Sequence, residues 1–212
     1  MALSKPARRT YIHTRQVTCE GFRRADGLWD IEGHLTDLKT YGFESEHRGK
    51  IDPGDPIHRM SLRLTVDDSL TVQAIEVATE KAPFHHCSDI LPNFQKLVGL
   101  NIGAGWTRAV RERLGGALGC THMVELLGPV ATTAFQTIFP ILYRERLERE
   151  KDHPPPADQA KRRPELLDMC HVFASDGAFT RRHWPEFYTG PKHGHAESHT
   201  PELAEPKPDS AQ

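Results

Sequence analysis

The sequence predicts an α+β fold: an N-terminal antiparallel sheet packed on C-terminal helices, one of them long and largely buried. Three observations carry this. Period-two alternation of apolar and polar residues runs through much of residues 8–80. Helical start and stop signals take over after Pro83. A charge-free run over residues 126–143 (LLGPVATTAFQTIFPILY) then supplies a helix apolar on most sides, the usual mark of a buried helix.

The first clear strand is set by Trp29, Ile31 and Leu35 alternating against Asp30, Glu32 and His34. An earlier one over 11–19 is weakly patterned. Ile51-Asp52-Pro53-Gly54-Asp55-Pro56 is a loop by its Pro and Gly content. Met60, Leu62, Leu64 and Val66 alternate against Arg59, Ser61, Arg63 and Thr65; Asp67-Asp68-Ser69 supplies turn chemistry, and a β-rich run follows, so 58–79 reads as a hairpin. Beyond Pro83, Ser88 or Asp89 is placed to cap a helix through Leu97. Thr107 is placed to cap one through Leu114, with Gly115-Gly116 as its stop. A long helix follows from about 121 to 150, its stripe running through Cys120, Val124, Leu127, Ala131, Ala134, Phe135, Ile138 and Leu142. Gly128-Pro129 is expected to kink or restart it. One domain over 1–188, with a Pro-rich linker at 153–164 inside it and a disordered tail at 189–212, accounts for the chain.

Composition excludes several classes. Lys plus Arg is 27 against Asp plus Glu at 29, giving a net charge of −2 and no basic footprint for nucleic acid or an anionic membrane. Two prolines, a glutamine and three threonines within the apolar run argue for a core helix over a membrane span. Four scattered cysteines without a CxxC pair, and an N-terminus lacking an apolar signal core, predict a reduced, cytoplasmic protein. The unusual count is 13 histidines, the side chain that titrates near neutrality and also ligates metals.

Candidate site residues cluster at the start of the long helix. His122 and Glu125, spaced i and i+3, share a face, continued by Thr132, Thr133 and Gln136. That polar, uncharged stripe either lines a ligand pocket or pairs with neighbouring backbone. On the first strand, Asp30, Glu32 and His34 form either a tuned imidazole or a solvated sheet face. His58, Arg59 and Arg63 follow the Pro-Gly loop, the two arginines able to clamp a carboxylate or phenolate. Cys87, Cys120, His122, Cys170 and His171 are ligands of the type zinc selects, though without paired short-loop spacing. Gly99, Gly103 and Gly105 only loosely match a phosphate loop, since Arg108 stands where glycine is required.

At DGLWDIEGHLTDLK (26–39), PGDPIHRMSLRLTVDD (53–68) and ERLGGALGCTHMVELLGPVATTAFQTIFP (112–140), the chain resembles a bacterial family of proteins of unknown function. Some of its members are associated with breakdown of plant-derived aromatic compounds. The likeness covers about 8–188, and the Gly-Cys-Thr-His…Glu-Leu-Leu-Gly-Pro run is its most specific part. The resemblance implies a cofactor-independent lyase on a lignin-type, phenylcoumaran aromatic dimer, expelling a hydroxymethyl carbon as formaldehyde to leave a stilbene. The residues available for that chemistry are His122 and Glu125 as acid/base partners, His58 as second base and Arg59 or Tyr41 at the phenolate. Trp29, Trp106 and Phe135 would wall a planar substrate, with Thr133 and Gln136 beside it. The expected partner is a small aromatic substrate, without nucleic acid or membrane, in a monomer or homo-oligomer. Two alternatives stay open: a zinc domain or zinc hydrolase on the Cys/His set, and a non-catalytic binding or assembly protein.

Overall fold

The computed structural model describes residues 3–154, 163–164 and 166–191. The chain divides into two units, Met1–Asp152 and His153–Gln212. Most of the Pro-rich linker (155–162) and of the expected tail (192–212) lies outside the described residues.

The N-terminal unit is built on a four-stranded antiparallel sheet in the order β1-β2-β5-β6. Its strands are β1 (His13–Arg23), β2 (Trp29–Lys39), β5 (Pro56–Val66) and β6 (Val72–Lys81). A small hairpin, β3 (Phe43–Ser45) and β4 (Gly49–Ile51), fills the connection between β2 and β5. The weakly patterned first strand is real: β1 is an edge strand, so burial imposes no strong alternation on it.

The alternation of β2 and β5 places Trp29, Ile31, Leu35, Met60, Leu62, Leu64 and Val66 in the core. The opposite phase carries Asp30, Glu32 and His34. Asp30 accepts from the Thr65 hydroxyl at 2.7 Å and Glu32 from Arg63 at 2.8 Å, so this is a polar outer face laced by ion pairs. The β5–β6 turn forms as expected, Asp67 Oδ1 accepting from the backbone N–H of Ser69 and Thr71.

The core face of the sheet is covered by α2 (Thr121–Asp152), which lies against β1 and β2. It buries Met123, Leu126, Leu127, Val130, Ala131, Ala134 and Ile138 and leaves Thr132 and Gln136 outside. The helix runs through Pro129 and Pro140 without restarting at Gly128-Pro129, because tertiary packing on both sides of each proline outweighs the loss of one helical hydrogen bond. By length and composition alone α2 is long and apolar enough to cross a membrane, a test that a buried core helix also passes. Its close seat on the sheet depends on two glycines. A Cβ on Gly33 would fall 2.5 Å from Val130, and one on Gly21 would meet the Thr137 side chain.

The helix expected from Ser88 or Asp89 to Leu97 is instead two 3-10 turns, His85–Ser88 and Leu91–Leu97. The Asp89 carboxylate pairs with His86 at 2.8 Å, and neither turn has a side-chain cap. α1 (Trp106–Leu114) begins behind Gly105, whose φ of +89° suits glycine, so Thr107 lies inside the helix and does not cap it. Within the C-terminal unit, α3 (Ala178–His183) and the turns around it gather Phe173, Phe179 and Trp184 into an aromatic cluster.

Candidate active site

The apolar face of the sheet ends in a charged row. Strand register sets Arg15 of β1 opposite Asp37 of β2, and Asp37 opposite His58 of β5. Asp37 continues the phase of Trp29, Ile31 and Leu35, while His58 precedes Met60 and Leu62 in the buried phase of β5. All therefore project toward α2. The β2–β5 pairing shifts immediately beyond this row, between Asp37 and Leu38, a bulge that bends the strand where the site is built.

Asp37 is 1% exposed and is the hub. The Arg15 guanidinium grips it bidentately, Nε to Oδ1 and Nη2 to Oδ2, both at 2.9 Å. His13 Nε2 lies 3.0 Å from Oδ1, and His58 Nδ1 lies 2.9 Å from Oδ2. Burial by itself would push this carboxyl up, but the Arg15 guanidinium, with His13 and His58, holds it down to about 2. Asp37 is therefore an anion that only accepts, which makes His13 Nε2 and His58 Nδ1 the donors. The lone pair of His58 falls on Nε2.

His122, in the first turn of α2, completes the group. Its ring lies 3.9 Å from that of His58, tilted by 33°. Its Nε2 is 3.9 Å from Asp37 Oδ2, too far for a hydrogen bond, and its Nδ1 is 3.8 Å from Cys120 Sγ. Burial, and then the charge of His122, lowers the pKa of His58; burial, and then Arg15, lowers that of His122. At neutral pH both rings are uncharged and able to take a proton. One turn on, Glu125 accepts from Arg15 Nη1 at 2.5 Å, so Arg15 ties the buried carboxylate to α2.

Glu125 also faces a cleft between α1 and α2. The cleft holds about 560 Å³ and is walled by Trp106, Val110, Leu114, Val124 and Leu127.

The expected site residues divide sharply. His58 and His122 come together, and Glu125 joins them through Arg15. Arg59 pairs with Thr36 and projects from the outer face, because adjacent strand residues point to opposite sides. Tyr41 is 45% exposed and packs near Phe43 and Lys39. Trp29 is core, its indole N–H donating to Asp68 at 2.8 Å, and Phe135 stacks on Phe139. Thr133 faces Cys19, whose thiol is pushed up by burial, and Gln136 is exposed. Trp106 lines the cleft. Of the Cys/His set, Cys120 and His122 are neighbours, while Cys170 and His171 belong to the C-terminal unit. Among the described residues, the group whose ligand atoms converge within 4.8 Å is Asp37, His58 and His122, without Cys87.

Sequence reasoning missed Asp37, Arg15 and His13. For Asp37 a readable signal existed, since it stands in the apolar phase of an otherwise hydrophobic strand, where a polar group needs a partner.

No curated protein and no solved structure matches the chain. A family model described as a protein of unknown function (DUF2889) matches residues 13–136, more than half of the chain. The match begins at His13 and includes Arg15, Asp37, His58, His122 and Glu125, and the protein belongs to this DUF2889 family.

Proposed function

We propose that the protein is a cofactor-independent lyase of the cytoplasm that opens a phenolic, phenylcoumaran-type aromatic dimer by acid/base chemistry and releases formaldehyde. The observation that carries this is the pair of rings, His58 and His122, 3.9 Å apart, with His58 hydrogen-bonded to the buried Asp37. His58 is the base: Asp37 fixes its tautomer and orientation and stabilises the imidazolium that forms, while Nε2 receives the proton. The terminal hydroxyl of the substrate gives up its proton and becomes the carbonyl of formaldehyde. The electron pair of the broken C–C bond forms the alkene, and the ring C–O pair leaves as aryl oxide. His122 moves the second proton between the phenol and the departing oxygen. Electrons balance within the substrate, so the reaction consumes no oxidant. Arg15 is a positioning residue, since its donors are committed to Asp37 and Glu125.

Incubation with a phenylcoumaran dimer tests this directly, following stilbene by chromatography and formaldehyde by trapping. Equimolar appearance of both supports the reading; folded protein that produces neither refutes it.

A second reading rests on the same convergence. Asp37, His58 and His122 offer one carboxylate and two imidazoles, a donor set that suits a divalent transition metal. Against it, Arg15 occupies both Asp37 oxygens and would have to yield. Stoichiometric zinc retained through dialysis, and lost in a His58→Gln/His122→Gln variant, would establish the metal reading over the acid/base one.

A further inference from the structure

We infer that the α1–α2 cleft binds an aromatic ring carrying an anionic oxygen, and that Arg111 is the residue that receives that charge. The cleft of about 560 Å³ falls in the size range of small-molecule sites and combines apolar walls with a few polar groups. Trp106, 6% exposed and fixed by its packing, borders it among the apolar residues. α2 presents Gly128 to the cleft, where an added Cβ would meet nothing within 4 Å, so this wall is recessed.

The charges in the cleft differ in how they are used. Glu125 is neutralised by Arg15. Arg111 lines the same cleft, is exposed, and has no ion pair or side-chain hydrogen bond among the described residues. A free guanidinium beside an apolar slot is complementary to a planar anion: the ring is desolvated against the apolar walls while a carboxylate or phenolate oxygen takes two N–H donors. A neutral or cationic aromatic would leave that cation unmatched.

The cleft is coupled to the catalytic group through one turn of helix. Glu125, which borders the cleft, follows His122 at i+3 and holds the arginine that grips Asp37. This deepens the lyase reading and rests on it for the reacting centre, because an aryl oxide is the leaving group there. Binding itself does not require turnover.

Calorimetric titration of the full chain with 4-hydroxy-3-methoxycinnamate, and with its neutral methyl ester, tests the assignment. Wild type binds the acid saturably and the ester at least tenfold more weakly. Arg111→Gln loses the same factor for the acid, Arg111→Lys recovers part of it, and His58→Gln binds like wild type. Absence of binding, or equal affinity in Arg111→Gln, overturns the proposal. Binding that follows this pattern in a protein without lyase activity keeps the cleft assignment and refutes only the reaction.

Discussion

Replacing Asp37 by asparagine removes the one buried charge around which the site is organised, with almost no change in volume. The native carboxyl sits at about 2 against an ordinary 3.8, a gap of roughly 1.8 pH units. At about 1.36 kcal/mol per unit this bounds its contribution near 2.5 kcal/mol. Asp37 itself is buried, but the Arg15 and His13 side chains are 35% and 39% exposed, so solvent screens part of the attraction. We expect Asp37→Asn to lose about 1–2 kcal/mol at pH 7, or a fall of roughly 3–6 °C in Tm for a chain of this size. The sign is set by the depressed native pKa. The stabilisation is fully present above the unfolded value of 3.8 and disappears as pH falls through about 2. Urea unfolding of both proteins at pH 7 and at pH 2.5 reads this as a gap that narrows to roughly a third on acidification, the native carboxyl being still mostly ionised at pH 2.5. A gap of the same size at both pH values, or no gap at pH 7, would refute the electrostatic account of the hub.

His58→Gln should reduce kcat by about 10²–10⁴-fold with little change in KM, measured on the dimer substrate. Since burial and His122 lower the pKa of His58, the acid limb of the wild-type rate profile should lie below the ordinary imidazole value of 6.5, and an NMR titration of the His58 ring should show it move upward in His122→Gln; a limb at or above 6.5 in wild type contradicts the neutral-pair assignment. His122→Ala should abolish activity while leaving Tm nearly unchanged, because the ring is partly exposed and makes no close hydrogen bond. Gly33→Val should cost about 1–3 kcal/mol by forcing α2 away from the sheet, and activity should fall in the surviving folded fraction as His122 leaves His58. Arg59→Ala, on the outer face, should change Tm by less than about 1 °C and leave kcat intact, by differential scanning fluorimetry and the same assay.

Much of the site was legible once strand phase is taken seriously. His58 and His122 carry visible signals, the first beside a Pro-Gly loop, the second at the start of an apolar helix. Arg59 was misread because its adjacency to His58 in the chain suggested a shared site, whereas the pleat sends neighbours to opposite faces. Trp29 was misread as a substrate wall; it lies at the phase that defines the core. Arg15 and His13 were invisible for a different reason. Edge strand β1 has no burial pattern to mark which of its polar residues turn inward, and their meaning appears only when β1 pairs with β2 in a register that sets Arg15 against Asp37.

Local chemistry in the chain therefore determined the main strands, α1 and α2, and which phase of β2 and β5 faces the core, because periodicity and turn residues act over a few neighbours. Tertiary structure decided the rest. The antiparallel order β1-β2-β5 aligned three residues, spread over more than forty positions, into one row. Two glycines then let α2 descend far enough to set His122 over His58. Register and close approach are long-range properties, fixed by the packing of the whole sheet against the helix, and no local pattern encodes them.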